Sequence, residues 1–302
     1  MLFADTALAR RIEHAEHRLT VDIADAVRDR PGRDVLIAPI GGGAAVFAGP
    51  GSPLNKMIGI GFEGPLDEPA LARIEEEFAR RKAPLQVEIS SLADPSVAKA
   101  LTGRGYALVG FENVLGLRPG EAGVGAPARA EPGAVEVTEV SGEEDDVWLD
   151  AVVTGFAHPD APGASGASGA SGASGASTED ASVPREVLEA VMRDFAVAPG
   201  FQRYLARVGG SVAGGASLRC FEGIAQLCGA STLPALRRRG VQTALLDHRL
   251  AVAARAGCDV AVVTTQPGSK SQANATRQGF ALIYTRAILV REVREVREVR
   301  EP

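Results

Sequence analysis

Two stretches of this chain superimpose without a gap. Residues 87–117 read VEISSLADPSVAKALTGRGYALVGFENVLGL, and residues 261–291 read AVVTTQPGSKSQANATRQGFALIYTRAILVR. A shift of 174 positions lays Gly105-Tyr106-Ala107-Leu108 on Gly279-Phe280-Ala281-Leu282 and Ala70-Leu71 on Ala244-Leu245. Each copy reads strand, loop, helix, strand, helix, strand. A repeat this long is a duplicated domain, not a solenoid unit. The chain therefore has to fold as two related α/β units, and 302 residues with 45% apolar content suffice for two cores.

Between the copies lies GEAGVGAPARAEPG, 120–133, a small, Pro/Gly-rich stretch expected to be an interdomain linker. The expected division is 1–119, the linker 120–133, a second unit 134–290 and a charged tail 291–302. Within the second unit, GASGASGASGASGAST cannot bury enough apolar surface to fold. It predicts a flexible tether across 161–180. The Arg-Glu-Val repeat of the tail has a period that matches no amphipathic helix.

Periodicity and capping residues predict helices at 5–29, 68–82, 94–103, 142–155, 184–195, 240–256 and 269–278. Ser141 and Glu144 fit a capping box for the fourth of these. Strands are expected at 34–39, 43–48, 56–62, 85–89, a pair across 105–118, then 134–140, 201–208, 211–219, 223–232, 259–265 and 280–290.

The formal charge of −6 carries no domain-wide basic excess that would favour nucleic acid. The N-terminal residues lack the apolar core of a signal peptide, and no stretch approaches a membrane span. Cys220, Cys228 and Cys258 have no metal spacing and read as small buried hydrophobes. The expectation is a soluble cytoplasmic protein without a metal.

The chemistry concentrates in ASTLPALRRRGVQTALL, 230–246. A strand ends at a proline, and Arg237, Arg238 and Arg239 precede Gly240 at a helix start. Unpaired N–H groups give a helix N-terminus a partial positive charge, and after a buried strand that end is an anion site. Gly240 lets a ligand approach the backbone, and guanidinium groups suit phosphate oxygens. A phosphate or pyrophosphate seated on 238–243 is one reading; an ordinary helix start with a solvated basic turn is the other.

The order strand–Pro–x–x–Arg–x–x–Gly–x–x–x–Ala–Leu, then strand 259–265, Ser271-x-x-Asn274 and Gly279-Phe280, resembles the GNAT N-acetyltransferase superfamily. LPALRRRGVQTALL, SKSQANATRQGF and YTRAILVR carry the likeness over 134–290, and the repeat extends it to 1–119. Gln242 departs from the family's loop, which has Gly or Ala there. The resemblance implies an α/β fold of two tandem GNAT-like domains, each a mixed, mostly antiparallel sheet flanked by helices. It implies acetyl-CoA as co-substrate in a V between strands 223–232 and 259–265. The backbone at Ala230, Ser231 and Thr232 would pair with the pantetheine arm. Arg237, Arg238, Arg239, Gly240, Val241, Gln242 and Thr243 would hold the pyrophosphate, and Asn274 would contact the cofactor.

The reaction implied is acetyl transfer to an amine by direct attack in a ternary complex. A lysine-like amine, at about 10.4, needs a base. Glu222, at the head of strand 223–232, is the base candidate, and Tyr284 the acid candidate for the departing thiolate. Glu143, Glu144, Asp145 and Asp146 either draw in a cationic amine or simply favour a helix start. His158 is a further base candidate or a structural loop residue. His14 and His17 read as a solvated helix face, and His248 as packed.

At the same offset, Glu63, Gly64, Leu66, Ala100 and Gly110 replace Arg237, Arg238, Gly240, Asn274 and Tyr284. The first copy thus reads as a degenerate domain that has lost its cofactor seat. Two other functions stay open. GIGFEG, 59–64, satisfies G-x-G-x-x-G, with Glu88 placed as a ribose-binding acid, which suggests a dinucleotide enzyme. A non-catalytic acyl-CoA-binding or regulatory module is the other. The acceptor is a small-molecule or peptide amine, and the chain a monomer or homodimer.

Overall fold

Four side chains set helix starts in this computed structural model, which describes residues 2–120, 134–158 and 184–293. Asp5 opens α1 (Thr6–Val27) by accepting from the Leu8 N–H at 2.8 Å. Asp67 opens α2 (Glu68–Arg80) through Ala70, and Asp94 opens α3 (Pro95–Gly103) through Ser96. Ser269 opens α7 (Lys270–Arg277) through Gln272. Each oxygen satisfies one N–H that the helix leaves unpaired. The remaining helices are α4 (Asp145–Ala157), α5 (Arg185–Ala196) and α6 (Val241–Arg255). At the expected capping box, Glu144 reaches back to the Ser141 N–H at 3.5 Å, and a short 3-10 turn precedes α4. The expected linker beyond Gly120, the 161–180 tether and the tail from 294 lie outside the described residues.

The first half contributes β1 (Leu36–Ile40), β2 (Gly43–Phe47), β3 (Lys56–Ile58), β4 (Leu85–Ser90) and β5 (Ala107–Leu117). The second contributes β6 (Val135–Glu139), β7 (Phe201–Val208), β8 (Ser211–Phe221), β9 (Ile224–Gln226), β10 (Ala230–Thr232), β11 (Val260–Thr265) and β12 (Ala281–Arg291). The repeat holds in three dimensions. β5 falls on β12 end for end at the 174-residue offset, α2 on α6 and α3 on α7.

All twelve strands form one sheet, ordered β1-β2-β3-β4-β12-β5-β11-β9-β8-β7-β6, with β10 paired to β8. The two halves exchange their last strands. β12 lies between β4 and β5, and β5 lies between β12 and β11. Pairing is antiparallel except for β3 with β4 and β9 with β11. The strands of both halves run on as one continuous sheet.

The β5·β12 register puts Glu112 opposite Arg286. These two residues are equivalents in the repeat, so the pseudo-twofold relating the halves passes between them. α2, α3, α6 and α7 pack on one face of the sheet, over two separate apolar clusters. α1, α4 and α5 cover the other face.

α1 crosses from one half to the other, so its polar residues are not all solvated. Glu13 and Glu16 are buried. Glu13 accepts from Arg286 Nε at 2.7 Å and from the Tyr284 hydroxyl at 2.6 Å. Glu16 accepts from Gln226 Nε2 at 3.1 Å. Lys56 and Glu88 pair at 3.0 Å in the same layer, both fully buried. Burial of charge is costly unless it is paired, and this layer lies where the halves meet. His17, expected on a solvated face, is half-buried against Gly59, and desolvation lowers its pKa to about 4.

Three strands differ from expectation. The pair across 105–118 is one strand, β5, because Gly105 makes the turn ahead of it at φ +86°. The 56–62 strand ends at Ile58, where Gly59 and Gly61 take positive φ under α1 and beside Ala93. The 223–232 strand divides into β9 and β10. Its first part pairs with β8 and β11 and its second with β8 alone.

Candidate functional site

The division between β9 and β10 opens the sheet. Gln226 pairs with Val262 as the last β9–β11 step, and the Leu227 N–H still donates to the Val262 carbonyl at 2.9 Å. Beyond Cys228 and Gly229 the chain turns toward β8. β10 therefore bonds β8 along one edge, and its other edge faces the gap beside β11. A cavity of 840 Å³ fills that gap, walled by α6 and α7 on one side and by the end of α4 on the other. Gly155 lets α4 come that close. A Cβ there would lie 2.4 Å from the Ser231 Cβ.

Ala230, Ser231, Thr232, Arg237, Arg238, Gly240, Val241, Gln242, Thr243 and Asn274 line this cavity. The structure thus brings together the whole expected cofactor set except Arg239, which is exposed outside it. Arg238 and Gly240 take positive φ, +62° and +78°. The turn they make carries the chain from β10 into α6, and no side chain caps the α6 N-terminus. Nothing stands within 4 Å of where a Gly240 Cβ would be, so the approach is open. Unpaired N–H groups, a helix dipole and guanidinium groups thus meet at one mouth of the cavity.

Gln242 does not crowd this turn. Its Nε2 donates to Thr232 Oγ1 at 3.0 Å and ties the loop to β10. Gln278 does the same for Thr243 at 3.3 Å. Arg237 donates to the His158 carbonyl, and Arg277 to Asn274 Oδ1. Lys270, Ser271 and Gln266 complete the α7 side.

The two expected catalytic residues are elsewhere. Glu222 forms the two-residue β8–β9 turn with Gly223, both at positive φ, as tight hairpins require. Its carbonyl accepts from Arg11 at 3.3 Å. It stands at the entry of β9, and the strands part only after the far end, at Gln226. Tyr284 is buried under α1, donates to Glu13 and does not line the cavity. Burial, then the Glu13 charge, raises its pKa. The strand exchange explains this position. β5 intervenes between β11 and β12, setting Tyr284 one strand, about 4.8 Å, farther from the gap than an unexchanged half would.

Of the four acids at the α4 start, two are engaged and Glu143 and Asp146 are exposed. Glu144 pairs with Arg207 at 2.5 Å and Asp145 with Arg203 at 2.7 Å, both on β7. His158 is exposed and its Nδ1 lies 2.9 Å from the Thr154 carbonyl. Among the described cavity-lining residues there is no carboxylate. There is, however, a residue that sequence reasoning passed over. Arg249, on α6, is buried and lines the cavity. A charged side chain at a core-facing helix position was the available signal.

In the first half the equivalent turn carries side chains of its own. Leu66 is buried against Gly41, Glu63 lies over Gly42 and pairs with Arg10 at 3.0 Å, and Asp67 caps α2 itself. The same geometry removes the dinucleotide reading of GIGFEG. Gly59 and Gly61 are small because His17 and Ala93 pack on them, and α2 starts four residues past Gly64. Glu88, the expected ribose acid, is held by Lys56.

Among the described residues no His, Cys, Asp and Glu group is arranged to hold a metal ion, and no helix is long and apolar enough to cross a membrane.

Residues 175–280 match the model of the acetyltransferase (GNAT) family. No curated protein matches the sequence. Among solved structures, a GCN5-related N-acetyltransferase from Kribbella flavida is similar at TM-score 0.58 and 19% identity, covering 92% of this chain and 95% of that one. A tandem GNAT protein from the clavulanic acid biosynthesis pathway is similar at TM-score 0.59 and 14% identity, covering 91% and 88%. A GCN5-related N-acetyltransferase from Sphaerobacter thermophilus gives 0.52 and 16%, covering 97% and 95%. At these identities the likeness is one of fold, and it spans both halves.

Proposed function

We propose that this chain, which belongs to the GNAT superfamily through residues 175–280, transfers an acetyl group from acetyl-CoA to an amine in the cavity between β10 and β11. The observation that carries the reading is the open edge of β10 leading to the uncapped α6 N-terminus in one continuous cavity. In this reading the turn from Arg238 to Thr243 holds the pyrophosphate, and Asn274 contacts the cofactor from α7. The free edge of Ala230–Thr232 takes the pantetheine arm as an added strand. A backbone N–H there holds the thioester carbonyl and the oxyanion formed on attack. The acceptor enters from the α4 side, past Gly155 and Phe156. The second half, 134–290, is then the active domain, and the first supports it.

A second reading, an acyl-CoA-binding module without turnover, is favoured by one observation. Neither Glu222 nor Tyr284 reaches the cavity, so neither candidate proton carrier is in place. Calorimetric titration of acetyl-CoA into the wild type and an Arg238→Glu/Gly240→Asp variant tests the site. Binding lost in the variant supports it, and equal binding by both sinks it. Release of free thiol with a panel of amines then separates an enzyme from a sensor.

A further inference from the structure

Arg249 is a buried cation without a carboxylate partner. It is 3% exposed, and its polar contacts are backbone carbonyls. Nε donates to Leu245 at 3.0 Å, and Nη1 to Ser217 at 3.1 Å and Cys228 at 3.3 Å. Desolvation lowers its pKa to about 10, against the opposing effects of Cys228 and Tyr204, so it stays charged at neutral pH. Bonding carbonyls needs only a neutral donor. A full charge is costly to bury, and where the protein supplies no counter-charge a ligand has to.

Its position identifies which part of the ligand. α6 starts past the end of β10 and runs back beside it. From Gly240 to Arg249 is nine residues, about 13 Å of helix. From Thr232 to Cys228 is four residues, also about 13 Å of strand. Arg249 thus reaches the inner end of the gap, at the residue where β9 and β11 have just parted. A pyrophosphate on the α6 N-terminus is out of its range. An extended arm from that pyrophosphate ends beside it.

We propose that Arg249 stabilises the negative charge that gathers on the CoA sulfur when the thioester breaks. The proposal rests on the acetyl-CoA reading above. The amine nitrogen forms the new N–C bond, the C–S bond breaks with its electron pair on sulfur, and the amine proton leaves to solvent. With the positive charge beside it, the thiolate departs without a proton donor, which fits a cavity that no tyrosine of the described residues lines. The groups that face Arg249 do not supply this charge balance. Cys228 is pushed up to about 12 by burial and stays a thiol, and Tyr204 is pushed up likewise. His248, packed on Tyr204, has a lowered pKa. Arg219 and Glu16 act on Cys228 from the opposite face, and Arg237, Arg238, Lys270 and Arg277 line the outer cavity.

The test uses free CoA, whose thiol titrates, with acetyl-CoA as the control that shares every other group. Binding constants are measured from pH 7 to 9.5 for the wild type, Arg249→Gln and Arg249→Lys. A bound thiol lowered by one unit from about 8.5 tightens CoA about sevenfold over this range relative to acetyl-CoA. The sign follows because binding that favours the thiolate strengthens as pH rises through the bound value. Arg249→Gln loses this rise, and Arg249→Lys keeps part of it, with urea unfolding confirming that both variants fold. A flat wild-type profile with intact binding overturns the proposal alone, as does a rise that survives in Arg249→Gln. Absence of binding by either ligand overturns the acetyl-CoA reading along with it.

Discussion

Glu112→Gln should make the protein more stable at pH 8 and leave it nearly unchanged at pH 4. Glu112 sits on the pseudo-twofold, buried beneath α1. Burial, then the charge of Glu88, pushes its pKa up to about 7, against the pull of Arg286. Its Oε2 lies 3.7 Å from Arg286 Nη1, which also serves Glu88, while Glu13 takes Nε. One arginine thus serves three acids. A folded-state value above the unfolded one means that the folded protein binds more protons in between. Stability is then full below the unfolded value near 4.5 and falls as pH rises toward 7. At about 1.4 kcal/mol per unit, the loss reaches up to about 3 kcal/mol above pH 7. Glutamine keeps the shape and cannot ionise, so the variant lacks this loss. Urea unfolding at pH 4 and pH 8 reads it. A variant less stable than wild type at pH 8 would refute the reasoning, since Glu112 would then be a net-favourable partner of Arg286. A difference that does not change with pH would refute it too.

Two further outcomes follow from the same geometry. Lys56→Met leaves Glu88 buried with only Gln86 and the distant Arg286, and should cost about 3–5 kcal/mol in urea unfolding at pH 7; a cost under about 1 would mean Arg286 already neutralises Glu88. Gly155→Ala puts a Cβ 2.4 Å from Ser231, pushes α4 off β10, and should lose about 1–3 kcal/mol of stability together with acetyl-CoA affinity. Unchanged melting and binding would show that α4 gives way freely.

The sequence showed the repeat, and with it the strands and helices that recur at the offset, because each element's pattern is local. The turn ahead of α6 was legible for the same reason: Pro234, the arginines, Gly240 and the α6 pattern are contiguous. What it did not show is which strand lies beside which. β12 has the same alternation whether its neighbour is β11 or β5, so the exchange was invisible, and Tyr284 was placed one strand too near the gap. Glu222 was misplaced by another limit. The break at Cys228–Gly229 showed no proline, and so the strand 223–232 looked continuous and its head looked near the chemistry. Arg249 and the acids of α1 were readable only as charges on helices. Their burial depends on what the other half brings to them.

The exchanged strands also bear on the order in which the chain is made. β5 leaves the ribosome 174 residues before its equivalent, β12. Both strands that flank β5 in the finished sheet, β11 and β12, are still untranslated at that moment. At about 5–20 residues per second, β5 waits roughly 10–35 s for β12 to be made. Until then β4 and β5 present bare edges, with Val109 and Phe111 exposed even in the finished sheet. The first half cannot complete its sheet during its own synthesis. Both halves close together, when the last strand arrives.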